Sequence, residues 1–137
     1  MDEANFLDTC TRCNACVERC PEDVLVSADG GFPVFDPMRG ECTFCGVCAE
    51  ACAPRALNAA TVTPAWHWKA RVNDDACLTT RGVVCRCCED ACGDRAIGFL
   101  PRAGGVSTPT VHPDRCSGCG ACISNCPTLA IALHPST

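Results

Sequence analysis

The chain has no tyrosine, only two tryptophans and only five phenylalanines among 137 residues. Leu, Ile, Val and Phe together number 26, about 19% of the chain and below the roughly 20% at which an ordinary apolar core becomes hard to build. Something other than apolar burial must therefore organise the molecule. Basic residues are scarce as well: 11 Lys and Arg stand against 16 Asp and Glu, a formal charge of −5. That balance argues against a nucleic-acid partner, which needs a basic face. No stretch approaches the roughly 18 apolar residues of a membrane span. The opening "MDEANFLDTC" has neither the basic start nor the apolar run of a secretory signal. The expectation is a soluble cytoplasmic protein, in which thiols stay reduced and serve metals or catalysis. No Ser/His/Asp set, phosphate loop or flavin motif is visible, so the chain is not expected to be an enzyme.

Cysteine is what the chain does have. There are 17, well above the roughly 8–10% that marks a cysteine-built scaffold, and the odd count rules out complete disulfide pairing. The first run, "CTRCNACVERCP", places Cys10, Cys13, Cys16 and Cys20 at C-x2-C-x2-C-x3-C. The same spacing recurs in Cys42, Cys45, Cys48 and Cys52, and again in Cys116, Cys119, Cys122 and Cys126. A third run is stretched: Cys77, Cys85, Cys88 and Cys92 read C-x7-C-x2-C-x3-C, with Cys87 left over.

This spacing suits iron and sulfur. C-x2-C-x2-C lets three thiolates of one loop reach three corners of a cubane, while the fourth Cys ligates the other cluster of a pair. The x3 segment before the fourth Cys, such as "VER" or "ISN", is expected to start a short helix, the fourth Cys to start a helix that points away, and a following Pro to favour that turn. Structural zinc sites use paired C-x2–4-C knuckles or Cys2His2 sets, and His67, His112 and His134 sit at no ligand spacing. The expected cofactors are therefore four [4Fe–4S] clusters with crossed ligation. The first takes Cys10, Cys13, Cys16 and Cys52. The second takes Cys42, Cys45, Cys48 and Cys20. The third takes Cys77, Cys85, Cys88 and Cys126, and the fourth takes Cys116, Cys119, Cys122 and Cys92. Each oxidised cluster with four thiolates carries two negative charges, moving the formal charge to about −13 and favouring a basic partner surface.

The segments between runs divide the chain. "VLVSADGGFPVFDP" and "AIGFLPRAGGVSTPTVHP" each alternate, turn at Gly-Gly and alternate again, the pattern of a β-hairpin. The segment between Cys52 and Cys77 lacks that turn and reads as a connector. Two modules follow, residues 1–63 and 64–137, each with two cysteine runs around a hairpin. The fold class is α+β: tandem two-cluster ferredoxin-like modules of small strands and short helices. Strands are expected at "DVLVS", "ALNAAT", "AIGFL" and "LAIALH", and at "HWKARVN" before the third run, whereas "EANFLDT" reads as helical.

At this level of detail the chain resembles a known family. "DDACLTTRGVVCRCCEDACGDRAIGFLP" is similar to the third motif of the NapF ferredoxin-type proteins that accompany periplasmic nitrate reductases. "FLDTCTRCNACVERCP", "ECTFCGVCAEAC" and "CSGCGACISNCP" resemble the other three, and the likeness spans Phe6 to His134. It implies a cytoplasmic four-cluster protein that binds the molybdenum catalytic subunit of the nitrate reductase before export and assists its maturation. A polyferredoxin that carries electrons between redox enzymes is the alternative. Cys52 is followed by Ala53, and Cys92 by Gly93, in place of proline, which is expected to alter those two turns.

Other residues carry weaker signals. Cys87 is either a bystander thiol or a substitute ligand for Cys85 or Cys88. Trp66 and Trp68 share one face of an expected strand and suit packing between modules better than a partner patch. Arg12, Arg19 and Arg86 lie within cysteine loops and read as solvated surface.

Overall fold

The computed structural model describes residues 3–58 and 67–136. The chain divides into two compact units, Met1–Trp66 and His67–Thr137, three residues beyond the boundary expected from the connector. Each unit has a short helix inside each cysteine run and a two-stranded antiparallel ribbon between its two runs, and the second unit has another ribbon whose strands flank its runs.

The first unit opens on α1 (Glu3–Thr9), followed by α2 (Ala15–Arg19), β1 (Leu25–Ser27), β2 (Pro33–Phe35) and α3 (Val47–Glu50). β1 and β2 pair with Val26 opposite Val34. Between them Gly30 and Gly31 both hold positive φ, +80° and +82°, where a Cβ would be strained. The second unit contains β3 (Trp68–Val72), α4 (Cys87–Ala91), β4 (Ile97–Phe99), β5 (Pro109–Val111), α5 (Ala121–Ser124) and β6 (Ile131–Pro135). β4 pairs β5 with Gly98 opposite Thr110, and β3 pairs β6 with Ala70 opposite Leu133. The second unit thus joins its own beginning to its own end.

α2 to α5 have four or five residues each, far short of the roughly 12–15 at which a helix stands alone in water. Their position corrects an expectation. The fourth cysteine does not start a helix but follows one: Cys20 and Cys92 are the C-caps of α2 and α4, and Cys52 and Cys126 come one residue after the C-caps of α3 and α5. The helix carries the third cysteine in its first turn and ends before the fourth.

A shared turn follows. The N–H three residues after each fourth cysteine donates to that cysteine's carbonyl: Asp23 to Cys20, Arg55 to Cys52, Arg95 to Cys92 and Leu129 to Cys126, at 3.1–3.3 Å. All four donors are left-handed, with φ of 54°, 58°, 51° and 52°. Ala53 and Gly93 therefore leave the turn unchanged, contrary to the sequence expectation. The turn geometry sits in the left-handed residue and needs no proline. The next residue points inward in every repeat: Val24 is 2% exposed, Ala56 1%, Ala96 1% and Ala130 3%. Three of these four hold the ribbons shut, since the carbonyls of Val24, Ala96 and Ala130 accept 2.7 Å bonds from the N–H groups of Asp36, His112 and Asn73.

The strand expected over "ALNAAT" is not formed at residues 56–58, and the rest of it lies outside the described residues, as does Trp66. Trp68 begins β3 with its side chain half exposed. The core of the second unit is part apolar and part thiol: Ala70, Ala96, Ile97, Ile123 and Ile131 pack with Cys88, Cys116 and Cys122.

Candidate metal centres

None of the 17 cysteines is in a disulfide. The folded chain sorts them across runs. Burial pushes the Cys16 thiol up, and the nearby Cys10 and Cys52 push it further. Cys48 is pushed up to about 11, by burial first and then by Cys42, Cys45 and Cys20. Cys88 also reaches about 11, from burial with Cys126 and Cys77 beside it. Cys122 goes to about 12, again from burial first, with Cys116, Cys119 and Cys92 as neighbours. In every case the third cysteine of a run senses the fourth cysteine of the other run in its unit.

Cavities show the same grouping for the second, third and fourth sets. Cys20, Cys42, Cys45 and Cys48 line a space of about 170 Å3 walled by Pro21, Val24, Leu25 and Phe35. Cys77, Cys85, Cys88 and Cys126 line a tighter one of about 20 Å3, and Cys92, Cys116, Cys119 and Cys122 another of similar size. Among the described residues, no three Cys, His, Asp or Glu side chains converge on a point that would hold a single ion. A zinc would draw four sulfurs to about 2.3 Å from one centre. In a cubane each thiolate binds its own iron, so wider spacing is needed, and apolar walls with thiols at the corners fit that group.

The backbone supports charge on these sulfurs. N–H groups point at Sγ from Phe44 to Cys42 and from Leu57 to Cys52, both at 3.4 Å. Ala70 donates to Cys116 at 3.4 Å, Ala96 to Cys92 at 3.3 Å and Ala130 to Cys126 at 3.2 Å. Hydrogen bonds to the sulfurs are one of the levers that set a cluster's potential. Cys13 is exposed and its thiol is lowered, chiefly by the Ala15 N–H and then by the Thr11 hydroxyl.

Residues 9–57 match the 4Fe-4S dicluster domain family, and residues 109–132 match the 4Fe-4S binding domain family. The chain is 42% identical over 133 residues to the ferredoxin-type protein NapF of Escherichia coli (strain K12), covering 97% of this chain and 80% of that protein. The chain belongs to the NapF ferredoxin-type family. The NapF of Haemophilus influenzae is 40% identical over 134 residues, covering 98% of this chain and 75% of the relative. A more distant relative, the methylamine utilization ferredoxin-type protein MauM of Methylorubrum extorquens, is 33% identical over 142 residues, covering 92% of this chain and 64% of its own length. As a NapF ferredoxin-type protein, the chain is an α+β iron–sulfur protein that binds [4Fe–4S] clusters.

Several features of the site escaped the sequence reading. Arg12 and Arg86 are not merely solvated: their guanidinium carbons lie 5.4 Å and 5.3 Å from the Phe32 and Phe99 ring centres, within cation–π range. Arg86 also pairs with Glu89 at 3.3 Å. Cys87 is exposed and hydrogen-bonds the Cys85 side chain, which raises its thiol pKa. It lines the cavity of the third set together with the four cysteines assigned there. The seven-residue stretch before Cys85 forms a 3-10 turn, Leu78–Arg81, and buries the Thr79 hydroxyl against Cys77. No spacing rule signals that hydroxyl, because the stretched loop has no counterpart among the other three runs. The buried small residue four positions after each fourth cysteine did have a signal: alanine stands there in three of the four repeats.

Proposed function

We propose that 16 of the 17 cysteines hold four [4Fe–4S] clusters in the crossed sets given above, two in each unit, and that Cys87 is not among the ligands. The observation that carries this reading is the neighbourhood of each third cysteine, which contains the fourth cysteine of the opposite run in all four sets. The bound groups would supply one-electron transfer. The chain's own contribution is to fix the sulfurs on short helices, exclude water with Val24, Ala56, Ala96 and Ala130, and aim backbone N–H groups at the thiolates.

The function we infer is that of a cytoplasmic maturation partner: a four-cluster protein that docks on the molybdenum catalytic subunit of periplasmic nitrate reductase before its export. Identity to NapF proteins over nearly the whole chain supports it. A holoprotein charge of about −13 suits a basic docking face. A polyferredoxin electron carrier remains the second reading, because a MauM ferredoxin-type protein shares most of the chain at 33% identity; the architecture is not tied to one redox system.

Two measurements test this. Anaerobically purified protein should contain about sixteen irons and about sixteen acid-labile sulfides per chain. About eight would mean that one unit, or the stretched third run with its partner set, is not a cluster site. A pull-down should then retain the unexported molybdenum subunit at low salt and release it as salt screens the contact. Failure to retain it, alongside fast electron exchange with a soluble donor and acceptor, would favour the carrier.

A further inference from the structure

The stretched third run is the one place where the chain abandons its repeat, and the extra residues are built with care. Leu78–Arg81 forms a 3-10 turn closed by Gly82 at φ +80°. The Thr80 hydroxyl donates to the carbonyls of Asp74 and Cys77, at 2.5 Å and 2.7 Å. Arg81 Nη2 donates to the Asp75 carbonyl at 3.1 Å. These bonds fix the turn, and the turn drives Thr79 inward until it is 4% exposed. Its hydroxyl lies 3.1 Å from Cys77 Sγ. A second hydroxyl, of Thr128, sits 3.8 Å from Cys126 Sγ, and the Ala130 N–H points at the same sulfur. Cys77 and Cys126 belong to one set.

We infer that Thr79 is a positioning residue that raises the reduction potential at the set Cys77, Cys85, Cys88 and Cys126. This rests on the cluster assignment proposed above. A thiolate sulfur accepts a hydrogen bond more strongly as the centre it binds gains negative charge, so a fixed donor favours the reduced state and raises the potential. Burial decides which donor matters. Thr11 also bonds a cysteine, Cys13, but at an exposed thiol where water replaces a lost donor. Thr79 is shielded from water, and hydrogen bonds in a low-dielectric setting are stronger and irreplaceable. Cys88 of the third set is among the neighbours of Cys122, so the two sets adjoin.

The test is EPR-monitored potentiometry on the whole holoprotein, with iron and sulfide counted in every sample. The wave that matters is that of the set Cys77, Cys85, Cys88 and Cys126. Thr79→Val keeps the shape, removes the hydroxyl and should move that one wave down, leaving the other waves in place. Thr79→Ser should leave it where it was, and Thr128→Val should move the same wave by a smaller amount. Unmoved waves in Thr79→Val at full iron content overturn the inference. If Thr79→Val loses iron, Thr128→Val and Thr79→Ser decide it: a wave lowered in the first and unchanged in the second supports it, and any other pattern overturns it. A wild type holding fewer than about sixteen irons would instead count against the cluster assignment itself.

Discussion

Cys87 occupies in α4 the place that Ala15, Val47 and Ala121 hold at the start of the other three run helices. The repeat thus puts a small apolar residue directly before the third cysteine, and the third run alone puts a thiol there. Its side chain is exposed and bonded to Cys85, while Cys88, the next residue, is buried among the set. Position decides between these two thiols where composition does not. Cys87→Ser should therefore leave iron at about sixteen per chain, and Cys88→Ser should lose about four, with the loss read by iron assay and by the visible absorbance of anaerobic samples. Equal losses in both variants would make Cys87 a ligand beside Cys88 and demote Cys85. Sequence spacing sets Cys87 aside in the same way, since C-x2-C-x3-C picks out Cys85, Cys88 and Cys92.

The left-handed turn after each run is the element on which the rest hangs. It reverses the chain at the fourth cysteine, buries the following residue and delivers the strand to its partner. Asp23, Arg55, Arg95 and Leu129 all hold positive φ without being glycine, and a left-handed L-residue costs about 1–2 kcal/mol. The cost persists because the sulfur and the buried small residue on either side over-determine the backbone. Arg95→Gly should remove most of that strain while adding about 0.5–1 kcal/mol of unfolded-state freedom, so the net is neutral to slightly stabilising. Arg95→Val should destabilise by about 1 kcal/mol or more, since a β-branched side chain tolerates this region worst. The midpoint of denaturant-induced bleaching under argon reads both. If Val is tolerated as well as Gly, the turn is not what holds the second unit. This turn was illegible in the sequence for a physical reason: two of the four residues are arginine and one is leucine, types that carry no left-handed preference, and Asp23 alone is of a type enriched there. The hairpins were legible because alternation and Gly-Gly both declared them, and α1 was legible from its helical pattern. The short helix on the x3 segment was legible, since α2 and α5 cover "VER" and most of "ISN", but the helix expected at the fourth cysteine was not there, because spacing states which atoms meet a metal, not where hydrogen bonding starts and stops.

Across the whole molecule the apolar content is too low for an ordinary core, and the second unit packs three cysteines into the one it has. On the ligand assignment proposed above, the sulfur that would bind metal is also the packing material, so metal binding would be folding energy. Chelation with oxidative loss of iron should abolish most of the far-ultraviolet circular dichroism of the short helices, and reconstitution with iron and sulfide should restore it. A cooperative, native-like iron-free form would contradict that account. The cysteine runs made a [4Fe–4S] protein readable from sequence, but the self-closure of the second unit did not follow from them, since β3 and β6 lie more than fifty residues apart in the chain. That closure carries the last prediction. All eight cysteines of the third and fourth sets fall in His67–Thr137, and β3 pairs with β6 along five residues, Trp68 to Val72 against Pro135 to Ile131. Both sets, the apolar core and the strand that closes it are therefore intrinsic to this segment. Expressed alone, residues 67–137 should fold on reconstitution and hold about eight irons and about eight sulfides, with the potentials of the two remaining waves unchanged from the full chain. Four irons or none would show that ligands are shared between units, and the division of the sixteen cysteines into two self-contained groups of eight would fall.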